Sequence, residues 1–477
     1  MKRTKIVATI SFKISQPEMI KKMVDAGVDV FRMNTAHQSL DEAAKIVEIV
    51  RSVSEDVALL IDTKGPEIRT KLISQPIEVK KGDVLYMTGN DELTGYEPLV
   101  HVSYAKFPQE IKEGYHIFVD DGDIEFVVVE QLPDLLKIEA CNNGFLKDKK
   151  SINVPGSSFR LNSLNDKDKA FIDFAIKHDI DFIAHSFVRN KDDVMAIQEI
   201  LDAHASKIKI IAKIENQEGI DNLDEILDHA YGVMVARGDL AIEISAERIP
   251  QVQNYIVKKC IESKKPVIVA TQMLQSMLDH PRPTRAEVGD IASAVFMGTD
   301  AVMLSGETAY GDFPLESVQT MARIVEANES VGNFDVNRQL VRIDNEVTVA
   351  LARVAVRLTL ILPIKAVVVD TLNGRTARYL SAFRGGKTVY ARCYCERVKR
   401  QLALSYGVHP YFTEKPESRD EFINDIPKVL IKEGFQPEDY IIIIGGSFGS
   451  MKGASFIEVC KIEDIQLKAK KPIKGWL

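Results

Sequence analysis

The sequence predicts an α/β protein: a closed (β/α)8 barrel interrupted by a small β domain and followed by an open α/β domain. Three observations predict it. Eight short apolar runs, each passing through a polar cluster into a helical pattern, recur between residues 5 and 307. Such continuous runs between amphipathic helices mark a parallel sheet covered on both faces. The spacing breaks once, over residues 70–156, and a further alternation of helices and strands follows residue 331. At 477 residues the chain exceeds one ordinary core, so two or three domains are expected.

The first three runs are "KIVATI" (5–10), "VDVFRMN" (28–34) and "VALLIDTK" (57–64). Between the first two, "QPEMIKKMVDAG" opens at Pro17 and closes on Gly27, as a helix should. The insert follows. "PIEVKKGDVLYMT", "GYHIFVDDGDIEFVVVEQ" and "LLKIEACNNG" alternate or run in short β stretches broken by Gly82, Gly122 and Gly144. A β domain set in a βα loop lies over the barrel mouth and serves naturally as a lid.

The barrel resumes with "IDFIAHSF" (180–187), "KIIAKIE" (209–215), "YGVMVARGD" (231–239), "PVIVATQM" (266–273) and "TDAVMLSGE" (299–307). Eight units favour a closed barrel over an open doubly wound sheet, which remains the alternative. The expected division is 1–69 with 157–331 for the barrel, 70–156 for the lid and 332–477 for the C-terminal domain. "KAVVVD", "VYARC" and "DYIIIIGG" supply strands of the last.

Composition sets limits. The net charge of -8 argues against general nucleic-acid binding but not against anionic small molecules, which answer to local charge. No apolar run reaches the length of a membrane span, and "MKRTKIVATI" lacks the pattern of a cleaved export signal. Cys141, Cys260, Cys393, Cys395 and Cys460 are an odd, scattered set, and the C-x-C at 393–395 has no second pair to complete a zinc site. Reduced thiols in the cytoplasm are the expectation.

In such a barrel the carboxyl ends of the strands carry the chemistry. In order they hold Arg32 and Asn34, Asp62 and Lys64, Ser186 and Arg189, Lys213 and Glu215, Arg237 and Asp239, Thr271 and Gln272, and Ser305 and Glu307. Singly each has a bland use: Asp62 could cap a helix, Arg32 could pair with a carboxylate, Thr271 could satisfy backbone. Gathered on one rim they read as a site. Lys213 and Glu215 stand two apart, so a strand points both to one side. Alone that could be a structural ion pair; with Asp239 on the next strand it reads better as two separate tools.

Glu215 and Asp239 are hard oxygen donors on adjacent strands, suited to one Mg2+ that takes the rest of its shell from water and substrate. A lysine beside such a metal suits a phosphoryl group. The "ARGDL" turn leads into a helix whose first amides, from Gly238 on, favour a carboxylate or phosphate. Arg32, Arg69 and Lys64 add positive charge. Phosphoryl transfer needs this set, because its catalysis is mostly positioning and charge neutralisation. Familiar nucleotide motifs fail: "SAFRGGKT" has Ser381 where a P-loop needs its first glycine.

"RMNTAH" (32–37), "DTKGPEIRT" (62–70), "KIENQEG" (213–219), "MVARGDL" (234–240), "ATQMLQSM" (270–277), "PRPTRAE" (281–287) and "MLSGETAYGDFPLE" (303–316) together resemble the pyruvate kinase family, over nearly the whole chain. The resemblance implies a barrel with an inserted small β-barrel domain and phosphoryl transfer from phosphoenolpyruvate to ADP, giving pyruvate and ATP. It implies that Lys213 stabilises the phosphoryl group, that Arg32 contacts it, and that Glu215 and Asp239 hold Mg2+. The amides around Gly238 and the Thr271 hydroxyl would receive the substrate carboxylate, with Thr271 in the relay that protonates the enolate. Asn34, Asp62 and Thr63 match positions for K+, and Asn34, His37, Arg69 and Lys150 match positions at the nucleotide. A homotetramer with a phosphorylated effector on the C-terminal domain is implied too.

Departures from the family pattern accompany it. Ala36 stands where a serine oxygen is usual among the K+ ligands, whereas Glu67 is the residue of K+-dependent members; weaker or less selective K+ activation is expected. "SFKIS" (11–15) replaces G-P-A-S near the nucleotide, and Ala241 replaces a common glycine. "TLNGRTA" (371–377) resembles a phosphate-effector loop with Asn373 for the usual serine, and "IIIIGGSFGSMKG" (441–453) offers a second glycine-rich turn. The rival readings are a metal-dependent aldolase or lyase barrel acting on pyruvate or phosphoenolpyruvate, and a non-catalytic sensor on a kinase scaffold.

Overall fold

The computed structural model describes residues 2–157, 159–329, 337–446 and 453–465. All eight expected runs become strands: β1 (Lys5–Thr9), β2 (Val30–Asn34), β3 (Ala58–Asp62), β4 (Phe182–His185), β5 (Lys209–Ile214), β6 (Gly232–Ala236), β7 (Val267–Ala270) and β8 (Ala301–Leu304). They pair in parallel in the order β1-β8-β7-β6-β5-β4-β3-β2 and close. Nearly every strand residue is buried because side chains serve two cores in alternation. Val7, Val30, Leu60, Phe182, Ile211, Met234, Ile268 and Met303 fill the barrel interior, while their neighbours pack against the helical ring.

The sequence places the helix starts by chemistry as well as period. Ser39 with Glu42, Asn165 with Asp168 and Thr284 with Glu287 each form a reciprocal capping box. Parallel register then sets the rim: Asn34 lies opposite Asp62, and Lys213 opposite Met234.

The insert is a second closed barrel of seven strands, with Ile77–Val79 and Gly144–Leu146 paired beside it. The expected lid boundary at residue 70 needs correction. It falls inside the strand Ile68–Lys71, whose alternating burial seats Ile68 in the lid's own core. The crossing therefore runs through residues 63–67, ahead of that strand. Gly65 in this crossing has φ +73, and a Cβ there would meet Phe187 and Ser186 side-chain atoms at 3.0 Å. Only glycine lets the chain pass so close to the neighbouring rim loop.

The C-terminal region holds a sheet of β9 (Ile364–Thr371), β10 (Val389–Cys393), β11 (Val408–Phe412), β12 (Tyr440–Gly445) and β13 (Phe456–Lys461), in the order β11-β10-β9-β12-β13. Only β13 runs antiparallel, at an edge. The boundary expected at 332 lies outside the described residues.

This region is bolted to the amino ends of the barrel strands by buried charges. Arg384 gives Asp300 a forked pair, with Nη2 to Oδ2 at 2.6 Å, and donates Nε to the Gly298 carbonyl at 2.7 Å. Asp300 also accepts the Tyr406 amide at 2.9 Å. Asp181, fully buried, accepts from Arg400 Nε at 2.7 Å and Arg51 Nη2 at 2.9 Å. Removing one partner of such a pair strands the other charge in low dielectric. Arg384→Met is expected to lower the unfolding free energy of the urea transition by about 3–5 kcal/mol; a midpoint unchanged from wild type would show that the bolt carries no load.

Candidate active site

The carboxyl rim gathers most of the expected residues. At the end of β5, Lys213 Nζ lies 2.8 Å from Glu215 Oε1 and 3.5 Å from Asp62 Oδ2, and donates to Ser186 Oγ at 2.8 Å. The sequence favoured separate tools over a salt bridge for Lys213 and Glu215; the structure corrects this, because they do form an ion pair. The pair is incomplete, however. Glu215 is fully buried, its Oε2 accepts the Phe187 amide at 2.6 Å, and Oε1 is at ion-pair distance without being aligned for a hydrogen bond.

Arg32, at the end of β2, donates Nη1 to Thr9 Oγ1 at 3.0 Å and Nη2 to Asp62. Asp62 Oδ1 and Arg32 Nε are buried with no hydrogen-bond partner. Burial opposes every charge here, and the charges hold one another. Despite burial, Glu215 and Asp62 keep the Lys213 ammonium above its ordinary range. Despite burial, Arg32 and Lys213 keep Asp62 below the ordinary carboxylate range. Asp239 differs: burial first, then the like charge of Glu215, push its carboxyl up to about 7.

That pattern tests the fit of a divalent ion on the structure itself. Two carboxylates crowd one buried spot, one holds an unaligned oxygen, and the other resists ionising; an oxygen-seeking cation answers all three. Asp62 Oδ1, buried and unpartnered, likewise suits a monovalent cation.

β6 runs directly into the short helix Arg237–Glu243. Arg237 is not free for substrate: it pairs with Asp290 at 2.6 Å and donates Nη2 to the Thr271 carbonyl at 2.5 Å. The Gly238 amide donates to Thr271 Oγ1 at 2.9 Å, and that hydroxyl donates to the Ala270 carbonyl at 2.6 Å. Thr271 and Gln272 have φ of +68 and +55, and Phe187 has +54. A β-branched residue in the left-handed region is a true outlier, and such strain persists only where surroundings enforce it.

Other expected residues are engaged elsewhere. Asn34 Oδ1 accepts the Ala36 amide at 3.2 Å, and the Ala36 carbonyl accepts from Lys167 Nζ at 3.1 Å. Thr63 Oγ1 bonds His185 Nδ1 at 3.0 Å. Arg69 pairs with Glu67 at 2.8 Å, and Lys150 pairs with Asp120 at 2.8 Å across the lid's rim. His37 ends a 3-10 turn, and its side chain lies outside the described residues. Glu307 is structural: its carboxylate braces the Leu274 amide at 3.0 Å and the Ser305 amide at 2.8 Å. In "SFKIS", Ser15 Oγ donates to the Phe12 carbonyl at 2.9 Å, and Phe12 is left exposed.

A cleft of about 290 Å³ separates the rim from the lid, lined by Phe187, Asn216 and Asp239 below and Ile68, Asp121 and Asn153 above. The sequence reading missed the Phe187 amide as the clamp on Glu215. Backbone donors leave no mark in sequence, and neither does a positive φ on phenylalanine.

A closed parallel barrel whose rim sets a buried lysine, an arginine and paired carboxylates beneath a β lid defines a barrel enzyme for anionic substrates. The comparisons specify which. Residues 1–318 match the family described as pyruvate kinase, barrel domain, and residues 349–460 match pyruvate kinase, alpha/beta domain. A pyruvate kinase of Borreliella burgdorferi is 45% identical over 471 residues, covering 97% of this chain and 98% of that protein. One of Bacillus licheniformis is 38% identical, covering 98% of this chain and 82% of that protein. The crystal structure of a pyruvate kinase from Cryptosporidium parvum superposes with a TM-score of 0.92 at 32% identity, covering 97% of this chain and 96% of that one. The chain belongs to the pyruvate kinase family.

Thr271→Val removes the acceptor of the Gly238 amide while keeping side-chain shape. Stability is expected to fall by about 1–3 kcal/mol, and Thr271→Ser, which restores the oxygen, should recover most of it in the same urea titration.

Proposed function

We propose that this rim is where the family's reaction is carried out, the transfer of a phosphoryl group from phosphoenolpyruvate to ADP. The observation that carries the assignment of roles is the buried Lys213 ammonium, held charged between Glu215 and Asp62 with Arg32 beside it. In the transfer the bond from phosphorus to the enol oxygen breaks, a bond to the terminal oxygen of ADP forms, and the enolate takes a proton at carbon to give pyruvate. Charge on the moving phosphoryl oxygens is met by Lys213 and Arg32 without reorganisation, because their carboxylate partners already fix them. The Gly238 amide and Thr271 hydroxyl, now bonded to each other, turn to the substrate carboxylate, and Thr271 then stands close to the carbon that is protonated. Glu215 and Asp239 would hold Mg2+, which supplies charge neutralisation for the carboxylate and enolate oxygens. The lid shuts the cleft against water.

Asn34, Asp62 and Thr63 are assigned to K+, with Ala36 offering one oxygen fewer. Asn34, His37, Arg69 and Lys150 are assigned to the nucleotide. The loop at Asn373–Arg375, where Asn373 Oδ1 accepts the Arg375 amide at 3.1 Å, is assigned to a phosphorylated effector. The second glycine-rich turn, at 447–452, lies outside the described residues. Self-association, as a homotetramer, draws support from an apolar stripe of Val347, Val354 and Ile361 exposed along the helix Glu346–Ile361. Five free cysteines accord with a cytoplasmic setting.

With Mg2+ present the chain is expected to make ATP from phosphoenolpyruvate and ADP, and Lys213→Met is expected to cut kcat by about 10²–10³-fold with an unchanged far-ultraviolet spectrum. Full turnover in the variant would remove Lys213 from the mechanism. K+ is expected to activate, at higher concentrations than for Ala36→Ser; activity indifferent to K+ in both proteins would refute the cation assignment.

A further inference from the structure

The lid carries a group of donors that the phosphoryl chemistry does not use. Its strands His116–Val119, Ile124–Leu132 and Leu135–Ala140 are adjacent and antiparallel. Ile117, Phe126 and Ala140 point into the small barrel's core. Alternation therefore sends their neighbours His116, Glu125 and Cys141 to the outer face together. The register makes this exact enough for chemistry: His116 lies opposite Val127 and Phe118 opposite Glu125, so His116 and Glu125 are diagonal neighbours. Cys141 continues the third strand, its amide donating to the Glu125 carbonyl at 2.8 Å. The three donor atoms lie within 4.8 Å of one another, and this is the one such group among the described residues.

We propose that His116, Glu125 and Cys141 form a binding site for a borderline-soft divalent cation of the Zn2+ class, separate from the catalytic rim. Imidazole nitrogen, thiolate sulfur and carboxylate oxygen are the three ligand types this ion takes, and Mg2+ has no use for two of them. Donors around a tetrahedral zinc ion stand roughly 3.5 Å apart, as its bond lengths of about 2.0–2.3 Å require. His116 Nδ1 and Glu125 Oε1 are hydrogen-bonded at 2.7 Å, so a small parting of these two side chains opens the position. The fold fixes the backbone that bears Glu125: its amide donates to Asn142 Oδ1 at 2.9 Å, and Asn142 Nδ2 donates to the Asp123 carbonyl at 2.8 Å. On binding, the metal–sulfur bond replaces the sulfur–hydrogen bond and the thiol proton goes to solvent. Three protein ligands leave the fourth position open. His116 and Glu125 line a cavity of about 890 Å³ whose other wall, Ala241–Ala246, begins within the helix Arg237–Glu243 that bears Asp239.

Zn2+ alone, added to the full chain, is the probe, with alkylation of Cys141 by iodoacetamide followed by peptide mass spectrometry. Peptide mapping keeps Cys395, which is exposed, out of the reading. The catalytic carboxylates can also take Zn2+, so binding stoichiometry is compared between wild type, His116→Ala and Cys141→Ser. The wild type is expected to bind one equivalent more than either variant, and Zn2+ should slow Cys141 alkylation by about tenfold or more in wild type and not in His116→Ala. Mg2+-supported turnover of both variants should equal that of wild type. Equal stoichiometry in all three proteins, an alkylation rate indifferent to Zn2+, or protection that survives in His116→Ala would each overturn the proposal.

Discussion

A lysine ammonium buried at the end of β5 is the constraint on which the rest of the rim depends. Placing that charge out of water is costly, and the fold offsets the cost with Glu215 at 2.8 Å and Asp62 at 3.5 Å. Those carboxylates must then be held in turn. Arg32 braces Asp62, and the Phe187 amide braces Glu215. Five consecutive positions around the barrel rim, from β2 to β6, are coupled by charge or, at β4, by the Ser186 hydroxyl and the Phe187 amide. The unsatisfied remainder, one oxygen each of Asp62 and Glu215 and the reluctant Asp239, sets the cluster apart from a finished salt bridge and is what a bound cation would satisfy.

Strain accompanies this arrangement. Phe187, Thr271 and Gln272 all occupy the left-handed region within the rim loops. Two of them turn a backbone group to a rim side chain: the Phe187 amide to Glu215, and the Thr271 carbonyl to Arg237. The opposite end of the barrel is built differently. There Asp300 and Asp181 are saturated by arginines from both domains, a set of closed pairs with structural use only. One barrel thus carries open electrostatics at its carboxyl ends and closed electrostatics at its amino ends.

The barrel was legible because continuous apolar runs and capping boxes are local signals. So was the rim, because strand ends select residues by position. What stayed hidden was non-local. Nothing in "VARGDL" shows that Arg237 is spent on Asp290, 53 residues away. Nothing in "MLSGE" shows that Glu307 braces two loops. The lid boundary slipped by two residues because Ile68 and Thr70 belong to the lid's alternation while reading as the tail of "DTKGPEIRT". Nor does the spacing of Lys213 and Glu215 decide between an ion pair and separate tools; a carboxylate in low dielectric takes every cation within reach.

Gly65 gives the crossing from barrel to lid a mechanical meaning. It packs against Ser186 and Phe187 with no room for a side chain. Ser186 receives the lysine, and the Phe187 amide clamps Glu215. The crossing from barrel to lid therefore lies directly against the loop that holds the charge cluster. A side chain added at Gly65 would press on both of these residues at once, so the crossing and the charge cluster cannot be altered independently.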